Sequence, residues 1–260
     1  MLREEERTAS RLAGRAPAAA ARAAPAAAAA PVGDPERAAR INPYTRWVHE
    51  HPDVLLAEPS PAELQARLAA AGAAAPEAGP IVVDLGCGSG NYLLERARAE
   101  PGMRFVGFEL RYKRLVKAAR KVERAGLHNV WFLRETAERF PSYFAPGSLA
   151  AVHVNFPDPW PRPSDWKKRM VSRALLGHLE RLLAPGGRFH LKTDHSGYFL
   201  HALALLPRAP QLRLVAFSND HHRQASLPGD VRTEFEQLFH SQRKPVYSLV
   251  LERCAPAGAA

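Results

Sequence analysis

From residue 81 onward the hydrophobic positions alternate between two periods. Short, nearly continuous apolar runs, rich in β-branched residues, occupy 81–85, 103–109, 130–133, 149–155, 188–193, 211–217 and 246–251. Runs of that length and continuity predict strands buried on both faces. Between them, residues 91–97, 111–124, 170–183 and 195–206 read as helices. In 111–124, Leu115, Val116, Ala119 and Val122 form the apolar face, and the rest is strongly basic. Pro185-Gly186-Gly187 is expected to stop the helix over 170–183. Strands alternating with helices predict an α/β domain over 79–254, with a mainly parallel seven-stranded sheet covered on both faces. Upstream, 61–68 reads as a helix capped by Ser60, within a helical N-terminal extension over 41–78.

The pattern lapses at the ends. Residues 1–40 are mostly alanine and arginine, broken by Pro17, Pro25, Pro31 and Pro35. They carry too little large apolar surface to order themselves, so a disordered tail is expected there and at 255–260. Glu4-Glu5-Glu6 argues against an organelle transit peptide, and the N-terminus lacks the apolar core of a secretory signal. No apolar run has membrane-spanning length. Cys87 and Cys254 are the only cysteines, too few for a disulfide framework, which predicts a reducing, cytoplasmic setting. The net charge of +10 favours a polyanionic partner, nucleic acid before membrane.

Candidate chemistry begins at the first strand of the domain. Ile81-Val-Val-Asp84-Leu85 is followed by three alternate glycines, Gly86, Gly88 and Gly90, and then a helix. A bare loop entering a helix N-terminus lets a nucleotide-like ligand approach backbone N–H groups. A dinucleotide fingerprint needs Gly-x-Gly-x-x-Gly, whereas here the third position is Asn91, which weakens an NAD-dependent oxidoreductase. Asp-x-Gly-x-Gly-x-Gly, with Glu109 closing the next strand, instead resembles the S-adenosylmethionine-dependent methyltransferases. In that pattern Glu109 accepts the ribose hydroxyls, and Asp84 holds the loop or the cationic methionine end. After the fourth strand comes Asn155-Phe156-Pro157-Asp158-Pro159-Trp160, with Arg162, Trp166, Lys167, Lys168 and Arg169 close behind. Prolines stiffen the backbone around Asp158. A basic-aromatic loop beside a cofactor pocket suits a phosphate backbone and a stacked base. Among the eleven histidines, His221-His222 with His195 or His201 lack metal-site spacing, and no metal is expected.

Phe156–Trp160, Lys167-Lys168-Arg169, Pro185-Gly186-Gly187, Thr193-Asp194 and Thr233-Glu234-Phe235-Glu236 together resemble the TrmB-type tRNA (guanine-N7-)-methyltransferases over about 41–253. The resemblance implies a Rossmann-like class I methyltransferase fold. It also implies methyl transfer from S-adenosyl-L-methionine to N7 of a variable-loop guanine, position 46 of tRNA, without a metal. It assigns cofactor contacts to Asp84, Gly86, Gly88, Gly90, Glu109 and Asp158, and makes Asp158 the active-site residue. The adenine-facing role falls on Glu135 or Thr136. Arg162, Asp194, Thr233, Glu234, Phe235 and Glu236 would contact the substrate. This chain departs from the family pattern at three places: Asp84 stands for glutamate, Thr136 for Asp or Asn, and Arg162 for lysine. Two other readings remain open: a methyltransferase of another substrate, and a tRNA-binding protein without catalysis.

Overall fold

The computed structural model describes residues 42–51, 53–74, 79–221 and 231–255. The expected tail at 1–40, and all but Ala255 of the one at 255–260, lie outside the described residues, as does His222. The first described element is helix α1 (Pro43–Glu50), started by Asn42, whose side chain accepts from Tyr44 N–H. Strand β1 (Leu55–Leu56) and helix α2 (Pro61–Ala74) follow. The domain then alternates β2 (Ile81–Leu85), α3 (Asn91–Ala99), β3 (Arg104–Phe108), α4 (Tyr112–Arg124), β4 (Val130–Leu133) and β5 (Leu149–Asn155). It closes with α5 (Arg173–Leu182), β6 (Leu183–Thr193), α6 (Ser196–Leu205), β7 (Leu212–Ser218), α7 (Glu234–Ser241) and β8 (Tyr247–Arg253).

The eight strands form one sheet in the order β1-β4-β3-β2-β5-β6-β8-β7. β1 to β6 are mutually parallel, and β8 runs antiparallel to both β6 and β7. The strand beyond the expected seven is β1, whose two residues pair with Phe132 and Leu133. Two residues are too few to register as a period. The order reverses between β2 and β5, so the loops leaving their carboxyl ends diverge and open a crevice.

Alternation along each strand divides the core. Val83 and Leu85 face a layer with Leu175, Leu176 and Leu179 of α5, Tyr198 of α6 and Leu64 of α2. Val82 faces the opposite layer, with Leu93 of α3 and Leu115, Ala119 and Val122 of α4. Two helix ends differ from expectation. α5 starts at Arg173 because Ser172 caps it, its hydroxyl accepting from Leu175 N–H. Pro185-Gly186-Gly187 does not separate helix from strand but lies inside β6. Pairing at Leu149↔Leu183 breaks there and resumes at Ala151↔Arg188. The helix ends one step earlier, where Leu183 turns extended.

Gly107, mid-strand in β3, marks the tightest packing beneath the crevice. A Cβ there would sit 2.7 Å from Cys87 Sγ, 2.8 Å from Leu93 Cδ1 and 2.9 Å from Phe132 Cδ1. Side chains of three elements close over a position with room only for hydrogen. Gly107→Ala overpacks this layer and is expected to cost about 1–3 kcal/mol. The melting temperature should fall by roughly 5 °C; an unchanged calorimetric melt contradicts this packing.

Candidate active site

The loop after β2 folds back onto the end of β3, where Gly86 N–H and Cys87 N–H both donate to the Phe108 carbonyl, at 2.8 and 3.0 Å. Gly86, Gly88 and Gly90 all hold positive φ (79°, 57° and 73°), which side-chain-bearing residues adopt only with strain. The loop thereby delivers α3 with a bare backbone facing a cavity of about 340 Å³. Asp84, Gly86 and Gly88 line its floor, Asn155 and Phe156 come from the end of β5, and Lys113, Arg114 and Lys117 come from α4. Thr233, Glu234 and Phe235 close the remaining side.

The two acids of the first strands differ in their surroundings. Asp84 is buried, and Asn155 Nδ2 donates to its Oδ1 at 3.3 Å. Burial pushes its carboxyl up to about 7; the Asn155 bond opposes that rise and the negative charge of Glu109 adds to it. Glu109 is fixed by the chain that follows it: Leu110 N–H and Arg111 N–H both donate to its Oε1 at 2.9 Å, and Arg114 Nη1 lies 3.6 Å from Oε2. The bare glycine backbone, a carboxylate for hydroxyls and a second one suited to a cation together fit a nucleoside carrying a cationic amino-acid arm. Of the expected site residues, Gly90, Glu109, Glu135, Thr136, Asp158, Arg162, Asp194 and Glu236 lie outside the cavity lining. Glu135 accepts from Thr136 N–H at 2.8 Å and from Tyr143 O–H at 3.0 Å, and Arg139 Nε is 3.3 Å away. Thr136 opens the 3-10 turn Ala137–Tyr143.

Asp158 is exposed, flanked by Phe156 and Trp160 at positive φ (51° and 42°). Phe156 N–H donates to the Lys192 carbonyl at 2.8 Å, which ties the loop's start to β6. The Lys168 ammonium lies 4.6 Å from the centre of the Trp160 ring. Arg162 is exposed at the start of the 3-10 turn Pro163–Lys168, and Asp194 is half-buried just past the end of β6.

The Thr233–Glu236 segment is the start of α7, a helix that residue periodicity missed. Thr233 and Glu236 form a capping box: Glu236 N–H donates to Thr233 Oγ1 at 3.0 Å, and Thr233 N–H to Glu236 Oε2 at 3.4 Å. Glu236 is 1% exposed and pairs with Lys192 Nζ at 2.9 Å; His221 Nε2 is 3.9 Å from its other oxygen. Its carboxylate therefore anchors the helix to β6, while Glu234 and Phe235 face the cavity. Glu234 reaches the glycine loop, accepting from Ser89 Oγ at 2.9 Å and from Asn91 Nδ2, with Lys121 Nζ 3.7 Å away. Phe235 is exposed and packs with Phe156 and Phe239, ring centres 6.0 and 6.2 Å apart. Reading by motif also passed over Lys192. A lysine directly between Leu191 and Thr193, at the buried end of the strand, was the available signal. Among the described residues no group of His, Cys, Asp or Glu is arranged to hold a metal, and no helix is long and apolar enough to cross a membrane.

A family model described as a putative methyltransferase matches residues 78–249. The tRNA (guanine-N(7)-)-methyltransferase of Geobacillus thermodenitrificans is 35% identical over 168 residues, 65% of this chain and 77% of that one. That of Bacillus subtilis is 32% identical over 173 residues, 66% and 80%. A bifunctional glycosyltransferase/methyltransferase of Fusobacterium nucleatum is 33% identical over 174 residues; the match spans 66% of this chain but only 27% of that protein. Among solved structures, the 16S rRNA methyltransferase KamB shares the fold, with TM-score 0.55 at 20% identity, covering 76% of this chain and 95% of that one. The family model spans the glycine loop, the Phe156–Trp160 segment and the start of α7, and the chain belongs to the tRNA (guanine-N7-)-methyltransferase family.

Proposed function

We propose that this chain methylates N7 of a guanine in tRNA, with the variable-loop guanine as target and S-adenosyl-L-methionine as donor. The observation that carries the reading is the convergence at one crevice of the glycine loop, the Phe156–Trp160 loop and the capped start of α7, in a member of this family. A cytoplasmic setting belongs to the same reading, with Cys87 and Cys254 both free thiols.

S-adenosyl-L-methionine supplies a sulfonium methyl when bound. Asp84, Glu109 and the glycine backbone would hold it, Glu109 at the ribose and Asp84 toward the cationic end. Guanine N7 has a lone pair and no proton, so the chain needs no general base. Its task is to align the base and to meet the positive charge that N7 acquires. Alignment of reacting atoms contributes roughly 7 kcal/mol or more in favourable cases. Asp158, exposed on a proline-stiffened loop whose Phe156 lines the cavity, would supply a carboxylate to meet the charged product. Asp194 and Glu234 suit the N1–H and N2 donors of guanine, and Phe235 offers it an aromatic face. Glu236 serves this arrangement from below, by holding α7 in place. Lys113, Lys117 and the exposed Arg162, Lys167 and Lys168 provide cations for the RNA backbone.

Two outcomes test this reading. Asp158→Ala should retain S-adenosyl-L-methionine binding while methylation of transcribed tRNA, read as N7-methylguanosine-dependent cleavage, falls about 100-fold or more; near-normal turnover removes Asp158 from the mechanism. The second concerns pH. The folded-state pKa of Asp84, about 7, lies above its ordinary 3.8, so the folded chain holds a proton there that the unfolded chain releases. Its stabilising effect is complete below about pH 4 and is lost as pH rises through 7. A cationic ligand favours the ionised form, so affinity moves the other way. At pH 6 only about a tenth of Asp84 is ionised, and cofactor binding should be about tenfold weaker than at pH 8. Calorimetric titration at both pH values checks this, and Asp84→Asn should remove that component of the pH dependence.

A further inference from the structure

The loop that carries Asp158 is poor in hydrogen-bond donors. Pro157, Pro159, Pro161 and Pro163 alternate with the other residues, so half of its peptide units offer a carbonyl and no N–H. Such a stretch has little means of closing turns on itself, yet Phe156 and Trp160 both hold positive φ, which needs support from outside.

Phe156 is tied to β6 by its own N–H; at Trp160 the support comes from Arg169. Only 3% exposed, it donates from Nε to the Pro159 carbonyl at 3.0 Å and from Nη2 to the Trp160 carbonyl at 3.3 Å. Its third nitrogen, Nη1, donates to the Gly197 carbonyl at 3.4 Å, in the first turn of α6. The guanidinium carbon lies 4.7 Å from the centre of the Trp166 ring and 5.2 Å from that of Tyr198. Tyr198 is itself fixed, its buried hydroxyl accepting from Val171 N–H at 2.9 Å. Among the described residues no acidic side chain pairs with Arg169. Burying a cation on carbonyls and ring faces alone is costly. A planar fork with five donors meets carbonyls of two segments at once, which an ammonium does not.

We propose that Arg169 is the positioning residue of Asp158: its fork pins the two carbonyls that follow Asp158 and locks the loop to α6, setting the direction in which the carboxylate projects. This rests on the methyl-transfer reading above. The two predecessors of Arg169, Lys167 and Lys168, are exposed and belong to the surface; Arg169 alone of the run turns inward.

The test uses the full chain, with R169M and R169K alone and combined with D158A. R169M should lower kcat on tRNA about 100-fold, as expected of a misplaced group, with KM for tRNA and cofactor affinity within about threefold. R169K, able to reach fewer carbonyls, should recover part of the loss, and it carries the same comparison should R169M not fold. In the D158A background the Arg169 variants should cause no further loss, because the group they misplace is gone. Amide exchange at Phe156, whose N–H donates to the Lys192 carbonyl where the loop leaves the sheet, should be faster in R169M. Near-normal kcat in the Arg169 variants, an equal fold-loss with and without Asp158, or unchanged exchange at the Phe156 amide overturns the proposal. A wild-type chain inactive on tRNA counts instead against the functional reading, and the exchange measurement still decides whether Arg169 pins the loop.

Discussion

A side-chain hydrogen bond from Asn155 to Asp84 joins the ends of the two strands between which the sheet changes direction. The whole crevice follows from that reversal. β2 sends its loop toward β3, β5 sends its loop toward β6, and the space left between them is where a ligand meets both. Asp84 sits at the floor of this space with its carboxyl buried, so its charge depends on what occupies the cavity above. A longer glutamate would place the carboxylate farther into the cavity; the shorter aspartate leaves it within reach of Asn155.

The opposite wall depends on a buried charge pair. Lys192 and Glu236 lie almost fully out of water, and removing one partner of such a pair typically costs about 3–5 kcal/mol. The pair ties α7 to the interior of β6, and the capping box ties the helix start to the same carboxylate. Glu234, two residues earlier, then extends across the crevice to Ser89 and Asn91 of the glycine loop. One short helix start thus touches the sheet, the cofactor loop and the open mouth. Residues that resemblance groups together as substrate contacts divide their labour here: Glu236 inside as anchor, Thr233 as cap, Glu234 and Phe235 at the surface of the cavity.

Much of this was legible in the residues. Six of the seven long strands and the main helices are periodic because each is buried on one or two faces, and burial is what hydrophobic pattern records; the edge strand β7 differs from expectation, its Leu214, Val215 and Phe217 being exposed. The glycine loop was legible because only glycine tolerates its φ angles. β1 escaped because two residues carry no period, and α7 because its start is polar and its role is set by a capping box. The bulge in β6 was misread as a helix stop, since Pro-Gly-Gly punctuates a chain either way and only pairing with β5 decides between them. Arg169 escaped for a different cause. Within a run of basic residues beside tryptophans, composition suggests a solvated face, and nothing local reveals that one guanidinium turns inward.

The site needs rigidity more than acid–base chemistry, and the chain obtains it by three unlike means. The glycine loop is held by backbone, its N–H groups bonded to the end of β3. The start of α7 is held by a buried ion pair and its cap. The Asp158 loop, deprived of donors by its prolines, keeps one backbone bond at its start, from Phe156 N–H to the Lys192 carbonyl, and, among the described residues, none around Asp158 itself. Prolines narrow the conformations available to it but do not say where it points; only contacts from outside the loop do. The more the loop is stiffened within itself, the more a small error at its base displaces the carboxylate at its tip, so the direction of Asp158 is decided at the carbonyls of Pro159 and Trp160.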